Sequence, residues 1–148
     1  MKLKVKRLSE AAFLPSYSHQ GDAGLDLYST EDLELLPHRS ALVHTGIAIE
    51  LPEGFEAQIR PRSGLALKNS ITVLNSPGTI DQGYRGEIAV ILINHGSVSF
   101  QVQTGIRIAQ LVVQGIVPVV IEEVENLSST HRGAEGFGST TEIDNKMT

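Results

Sequence analysis

Glycine and proline interrupt this chain so often that few stretches are long enough to form a helix. The 148 residues contain 14 glycines and six prolines, and the intervals between them suit strands and turns. Residues 55–60 (FEAQIR) and 99–103 (SFQVQ) alternate apolar and polar side chains, a period of two that is typical of half-buried strands. Several short strands at regular spacing predict an all-β sandwich or barrel.

Two further segments, residues 87–93 and 111–113, are continuous apolar runs rather than alternating ones. Such runs are typical of strands that are covered on both faces. In a small all-β protein this pattern indicates that one face of the strand meets another subunit. One short helix is predicted around residues 63–68, with Ser63 as its N-cap and Pro61 before it.

Composition sets the class of protein and excludes some functions. The chain has no cysteine, so it has neither disulfides nor thiolate chemistry, which suits a reducing cytoplasm. The five histidines lack metal-ligand spacing and are interpreted as surface or packing residues. No apolar run has the length of a signal-peptide core or a membrane span. A net charge of −5 argues against nucleic acid as a partner.

The chain changes character after Val124. Residues 125–141 are polar and rich in Gly, Ser and Thr, with a single aromatic residue, Phe137, between glycines. This composition is typical of a disordered tail, but glycine-rich backbone can also form a nest for phosphate, with Arg132 supplying charge. We predict a β domain over residues 1–124 and a flexible C-terminal arm over residues 125–148.

Residues 78–87 (GTIDQGYRGE) place a carboxylate, a phenol and a guanidinium around a reversal between two apolar runs. Gly83 can adopt positive φ without steric cost, so a tight hairpin there would bring Asp81 and Tyr84 together. Asp-x-Gly is also common in purely structural turns. The segment therefore has two interpretations, an ordinary hairpin and a loop that carries a reactive acid.

Other polar segments also have two interpretations. Residues 61–64 (PRSG) can be simple helix capping or, with Arg62, an anion site at a helix N-terminus. Gln110 shares strand parity with apolar neighbours and therefore needs a partner, either a backbone group or a ligand phosphate. Asn75 is most simply a turn residue, and residues 23–27 (AGLDL) a turn that enters a strand.

Five motifs in a fixed order are more specific than any one of them. They are AGLDL at 23–27, PRSGLA at 61–66, GTIDQGYRGE at 78–87, RIAQL at 107–111 and RGAEGFGST at 132–140. Together they resemble the five motifs of the trimeric dUTPase family. The resemblance implies a jelly-roll-like β subunit of the β-clip type, and a homotrimer whose active sites are shared between subunits. It also implies Mg²⁺-dependent hydrolysis of dUTP to dUMP and pyrophosphate in the cytoplasm.

The resemblance also implies roles for single residues. Asp81 matches the water-activating carboxylate, and Asp26 matches an acid near the metal-bound waters rather than a direct ligand. No residue is expected to bind the metal directly, because Mg²⁺ is held by substrate phosphates and water. The positions that match substrate-binding residues are Arg62, Ser63, Gly64, Asn75, Gly78, Thr79, Ile80, Tyr84, Gln110, Arg132, Phe137, Gly138, Ser139 and Thr140.

One departure and two alternatives accompany the resemblance. The family's arm motif usually continues with Gly after Ser-Thr, where this chain has Thr141, which puts contacts beyond Thr140 in doubt. A dCTP deaminase shares the fold and the turn motif, but it needs a catalytic Glu near the position of Ile91. A non-catalytic nucleotide sensor would not need Asp81, Tyr84 and the arm together.

Overall fold

The computed structural model describes residues 1–134, and the chain divides into two units, Met1–Val117 and Pro118–Thr148. The first unit contains all of the regular structure described below. The predicted boundary between residues 124 and 125 stays a prediction. Within residues 1–134 no helix is both long and apolar enough to cross a membrane.

Ten strands and one helix form the first unit, so the predicted all-β fold with a single short helix is confirmed. The helix and most of the strands are short, as the frequent glycines and prolines predict, but one strand of 11 residues continues through Gly46. In chain order they are β1 (Lys4–Arg7), β2 (Leu25–Tyr28), β3 (Leu33–Leu35), β4 (Ser40–Glu50), β5 (Phe55–Arg60), α1 (Ser63–Asn69), β6 (Ile71–Val73), β7 (Gly78–Ile80), β8 (Glu87–Asn94), β9 (Phe100–Val102) and β10 (Arg107–Gly115).

The strands build two four-stranded antiparallel sheets, ordered β1-β4-β8-β6 and β2-β10-β5-β7, and a two-stranded ribbon of β3 and β9. Apolar side chains from both larger sheets join one buried cluster. Its largest fully buried members include Leu27, Ile47, Ile88, Leu92 and Leu111. Two sheets that bury a shared apolar core are typical of a jelly-roll-like sandwich.

Strand β8 buries one face and leaves the other half-exposed. Ile88, Val90 and Leu92 are almost fully buried, while the residues between them are of intermediate exposure. The apolar run was predicted to be covered on both faces. Within a single chain only one face is fully covered, so the apolar residues of the second face remain partly accessible.

The segment at residues 78–87 is a turn between sheets and not a hairpin, which corrects the prediction. Strand β7 pairs with β5, and β8 pairs with β4 and β6, so the segment passes from one sheet to the other. Gly83 is not among the residues with positive φ. The reversal is instead closed by the Tyr84 amide, which donates to the Asp81 carbonyl at 3.0 Å.

The predicted N-cap of α1 is also wrong. The N-cap is Arg62 in an extended conformation (φ −95°, ψ 127°), with no side-chain cap, and Ser63 is the first helical residue. Arg62 is held in place by its side chain, because its Nε donates to the Asp26 carboxylate at 3.0 Å. This contact fixes the start of the helix one residue before the expected position.

Gly46 lies at an irregularity in β4, and its φ of +66° is one that non-glycine residues rarely adopt. A Cβ at this position would lie 2.8 Å from Ser9 Oγ and 2.9 Å from Ala12 Cβ. We expect Gly46→Ala to lower the free energy of unfolding by about 2–4 kcal/mol, from backbone strain and overpacking together.

Gly54→Ala is the matched control, because Gly54 has φ +79° but no atom within 4 Å of an added Cβ. It should show only the backbone cost, about 1–2 kcal/mol. Urea denaturation of both variants measures the difference. Equal losses would show that packing against residues 9 and 12 does not matter.

Candidate functional site

The first cleft of interest, here called the arginine cleft, has a volume of about 320 Å³. It lies where β2, β10 and the start of α1 meet. Its walls are mostly polar, and they carry both cationic and carboxylate groups. The lining residues are Ser18, Asp22, Ala23, Gly24, Asp26, Arg62, Ser63, Gly64 and Gln110.

Asp26 organises the cationic side of this cleft. Its side chain is only 10% exposed, and it accepts from Arg62 Nε at 3.0 Å and pairs with Arg107 Nε at 3.3 Å. Ser18 Oγ adds a third hydrogen bond at 2.7 Å. A nearly buried carboxylate needs such partners, because an unpaired buried charge is costly. The carboxylate therefore fixes two guanidinium groups beside the cleft.

The start of α1 forms another wall of the arginine cleft. Ser63 and Gly64 lie in the first turn, where backbone N–H groups have no partner within the helix. No Cβ occupies the space at Gly64, which has no atom within 4 Å of that position. These N–H groups and Arg62 together favour an anionic ligand.

Gln110 enters the arginine cleft from β10. Its Nε2 donates to the Pro61 carbonyl at 2.9 Å, so the commoner of the two predicted partners, a backbone group, is the one present. A register shift between Arg107 and Ala109 resets the parity of β10, which separates Gln110 from the apolar face. Gly24 leaves the space that the carboxamide of Gln110 fills, since an added Cβ would overlap Gln110 Oε1.

The second cleft, here called the turn cleft, has a volume of about 360 Å³. It lies beside the turn that joins β7 to β8. One wall comes from this turn and from Asn75, and the other from the half-exposed face of β4 and β8. The lining residues are Leu42, Asn75, Thr79, Ile80, Asp81, Tyr84, Glu87, Ala89 and Ile91.

The turn is held by hydrogen bonds that do not involve its acid. Gln82 Oε1 accepts from the Gly54 amide at 2.7 Å. Arg85 Nη1 donates to the carbonyls of Gln82 at 2.8 Å and Tyr84 at 2.9 Å. No hydrogen bond or ion pair from the described residues reaches the exposed carboxylate of Asp81. Asp81 is therefore an exposed carboxylate on a turn that other residues hold in place.

Tyr84 folds back over its own turn. Its hydroxyl donates to the carbonyl of Glu87 at 3.0 Å, and its ring lies over Gly86, where a Cβ would overlap the phenol. Tyr84 as a whole is 44% exposed. The glycine in Tyr-Arg-Gly-Glu is required by this close approach and not by a special φ.

Asn75 lies against Gly78 at the floor of the turn cleft. An added Cβ on Gly78 would lie 3.0 Å from Asn75 Nδ2. Gly78 pairs with Ile59 and Thr79 with Gln58 on β5, so the backbone of β7 is fixed by the ladder. An amide and a fixed strand edge in one small cleft can recognise a planar hydrogen-bonding ligand.

The two clefts divide the predicted site residues. Arg62, Ser63, Gly64 and Gln110 line the arginine cleft, whereas Asn75, Thr79, Ile80, Asp81 and Tyr84 line the turn cleft. Within residues 1–117 the two clefts share no lining residue. Arg132 lies in the second unit. The remaining predicted arm residues, Phe137, Gly138, Ser139 and Thr140, lie outside the described residues, as does Thr141.

A family model for dUTPase matches residues 10–141, which is most of the chain. The match includes every segment that forms the two clefts. The chain belongs to the dUTPase family.

Relatives and solved structures agree with this assignment. The deoxyuridine 5'-triphosphate nucleotidohydrolase of Gloeothece citriformis is 64% identical over 140 residues, covering 95% of this chain and 97% of the relative. That of Clostridium tetani is also 64% identical, covering 93% and 95%. A mutant dUTPase of Staphylococcus bacteriophage 80alpha, solved with dUpNHpp, aligns with a TM-score of 0.87 at 30% identity, covering 93% and 97%.

A second solved dUTPase is that of phage phi11 of S. aureus, a point mutant whose structure describes the coordination of a structural Mg(II) ion. It aligns with a TM-score of 0.81 at 28% identity, covering 87% of this chain and all of the other. The jelly-roll-like fold expected from the motifs of dUTPases is thus confirmed.

Sequence reasoning missed several residues that line the two clefts. Asp22 and Ser18 were not predicted, and no motif pattern marks them. Leu42, Ala89 and Ile91 were also missed as site residues, although the alternation of β8 places positions 89 and 91 on the same face. Ile91 puts an apolar side chain in the turn cleft where a dCTP deaminase needs its glutamate, which disfavours that alternative.

Asp26 should matter for stability because it is the shared partner of two arginines. We expect Asp26→Asn to lower the free energy of unfolding by about 1–3 kcal/mol, less than for a fully buried pair because Arg62 and Arg107 are partly exposed. Asp22→Asn is the control in the same cleft, and it should cost less than about 1 kcal/mol because that side chain is 41% exposed. Similar losses in urea denaturation would contradict the organising role of Asp26.

Proposed function

We propose that the protein hydrolyses dUTP to dUMP and pyrophosphate, with the nucleoside in the turn cleft and the phosphates in the arginine cleft. Membership of the dUTPase family supports the reaction. The observation that carries the mechanism is the exposed carboxylate of Asp81, held on a braced turn in the same cleft as Asn75 and Tyr84.

Asp81 acts as the general base. A water attacks the α-phosphorus in line with the bond to the bridging oxygen, the carboxylate accepts a proton of that water, and pyrophosphate leaves. Positioned general bases contribute about 10²–10⁴-fold to rate. The Gln82 side chain accepts from the Gly54 amide and Arg85 donates to main-chain carbonyls of the turn, so the carboxylate is positioned while its own oxygens stay available.

The floor of the turn cleft selects the nucleobase of the substrate. The uracil edge presents acceptor, donor and acceptor, which the Asn75 amide and the backbone of Gly78, Thr79 and Ile80 complement. Cytosine would leave buried polar groups unpaired, and such mismatches discriminate strongly. Tyr84 packs against the sugar and excludes a 2′-hydroxyl.

The arginine cleft binds the phosphates. Arg62 supplies a guanidinium, Ser63 and Gly64 supply helix N–H groups, and Gln110 supplies an amide already oriented by Pro61. These donors stabilise the charge that develops on the leaving pyrophosphate. The net charge of −5 does not oppose this, since local groups dominate the field within a cleft.

The donor set of the clefts fits Mg²⁺ that is held through the substrate. Among residues 1–134 no group of three His, Cys, Asp or Glu side chains could hold a metal. The Asp26 carboxylate is bound by two arginines and a serine, so it would affect metal-bound waters indirectly and not as a metal ligand. Mg²⁺ prefers phosphate oxygens and water, and when bound it neutralises phosphate charge.

A homotrimer would complete the site by bringing the turn cleft of one subunit to the arginine cleft of another. Two observations support this. The clefts share no lining residue within residues 1–117. In addition, Leu42 is 52% exposed beside the half-covered face of β8, which leaves apolar surface for a partner subunit.

The C-terminal arm closes the site in this proposal. Phe137 covers the uracil, while Arg132, Gly138, Ser139 and Thr140 contact the phosphates, and Thr141 ends the arm motif in place of the usual glycine. In the cytoplasm, the enzyme keeps uracil out of DNA by removing dUTP, and the dUMP it forms supplies dTMP synthesis.

Replacing the general base, Asp81, should abolish turnover but leave substrate binding intact. We expect Asp81→Asn to lower kcat for dUTP by about 10²–10⁴-fold with little change in KM, measured as pyrophosphate release with Mg²⁺. Glu53→Gln, an exposed carboxylate outside both clefts, is the control and should behave as the wild type. Retained activity in Asp81→Asn would refute the assignment of the base.

The substrate panel for the wild type is dUTP, dCTP, dTTP and UTP, each at equal concentration with Mg²⁺. We expect turnover of dUTP alone, because dCTP and dTTP differ from it in the nucleobase and UTP differs from it in the sugar. A sensor would bind dUTP without releasing pyrophosphate. Absent dUTP turnover, or equal turnover of UTP, would overturn the proposed function.

Removal of the C-terminal arm should reduce activity without preventing folding. A chain ending before Arg132 retains the whole first unit, Met1–Val117, so it should fold and assemble as a trimer by sedimentation. Its kcat/KM for dUTP should fall by more than about tenfold, because the contacts of the arm are absent. Loss of folding on truncation would refute the arm as a separate closing segment.

A further inference from the structure

His44 on β4 lies between two carboxylates at the irregularity beside the turn cleft. Its ring Nδ1 is 2.9 Å from Glu87 Oε2, and its backbone amide donates to Glu31 Oε1 at 2.8 Å. The side chain of His44 is about half exposed and that of Glu87 is 29% exposed. The interpretation of His44 as a surface or packing residue leaves this ion pair unexplained.

Glu87 connects this pair to the turn. Its other oxygen, Oε1, accepts from the Gly46 amide at 2.8 Å, where the ladder between β4 and β8 is interrupted. Its backbone carbonyl accepts from the hydroxyl of Tyr84 at 3.0 Å. Glu87 therefore connects two features: its side chain binds the bulge of β4, and its main chain binds the phenol of Tyr84.

The position of the Tyr84 ring depends on this carbonyl. Arg85 binds only main-chain carbonyls of the turn, and the Tyr84 ring occupies the space that a Cβ at residue 86 would take. Among the described residues the Glu87 carbonyl is the single hydrogen-bond partner of the Tyr84 hydroxyl. A shift of the start of β8 would therefore move the phenol within the turn cleft.

We propose that His44 and Glu87 are positioning residues that hold Tyr84 in place and thereby set the discrimination between deoxyribose and ribose nucleotides. The inference rests on the proposed function, in which Tyr84 packs against the sugar. Neither residue touches the reacting atoms. Their effect should appear in the ratio of kcat/KM for dUTP to that for UTP, in which shared steps cancel.

The charge of His44 adds a pH dependence. The hydrogen bond and the charge of Glu87, with a further contribution from Glu31, raise the pKa of His44 above its usual value. These two are the charged groups that face it among the described residues. Because the folded pKa is raised, the charged pair is complete below pH about 6.5 and is lost as the pH rises through the folded pKa.

The test compares His44→Ala, His44→Asn and the exposed loop control His95→Ala with the wild type, using dUTP and UTP at pH 6 to 9. We expect His44→Ala to reduce the selectivity ratio about fivefold, within the usual range for coupled neighbours. In His44→Asn, the amide can still donate a hydrogen bond near the position of Nδ1, but it does not titrate. The selectivity ratio of this variant should therefore lie between those of His44→Ala and the wild type, and it should not depend on pH. His95→Ala should match the wild type, whose ratio should fall as the pH rises.

A double-mutant cycle with Tyr84→Phe distinguishes positioning from a general loss of stability. If His44 acts through the phenol, His44→Ala should not lower the ratio further in the Tyr84→Phe background. Additive losses, or an unchanged ratio in His44→Ala, would overturn the inference while leaving dUTP hydrolysis intact. If His44→Ala does not fold, a pH-dependent ratio in His44→Asn would equally overturn it. Absence of dUTP turnover in the wild type would instead refute the proposed function.

Discussion

The backbone ladder of β5 is the constraint on which both clefts depend. On one side β5 pairs with β10, which sets Gln110 opposite Arg60, and on the other with β7, which sets Gly78 opposite Ile59. Adjacent strands are about 4.8 Å apart, so the two edges are held about 10 Å from each other by main-chain hydrogen bonds alone. Side chains in the clefts can vary without changing this spacing, since the ladder does not depend on them.

The pattern of the sequence predicted the fold class and the strands well, because both follow from local rules. Alternation in residues 55–60 and the apolar run at 87–93 correspond to β5 and β8. The motif order also predicted several of the residues that line the clefts, but not Ser18, Asp22, Leu42, Ala89 or Ile91. The alternation and the apolar run are local patterns. They match the folded strands because side chains in a strand point alternately to the buried face and to the exposed face.

The errors arose where a distant contact determined the local geometry. Ser63 has the right chemistry for an N-cap, but Asp26, far away in the sequence, fixes Arg62 and so moves the helix start. The turn at residues 78–87 looked like a hairpin because nothing local reveals that β7 and β8 pair with different partners. The bond between His44 and Glu87 joins positions 43 residues apart, so no spacing rule can find it.

The half-exposed face of β8 has a consequence for evolution and for assembly. Ala89 and Ile91 line the turn cleft and belong to the face that would meet a partner subunit in the proposed trimer. A substitution there would alter ligand affinity and subunit affinity at once. By mass action, a ligand that fills the turn cleft would then shift the equilibrium between free and assembled chains. In the proposed trimer, selection on this face would therefore act on both properties together.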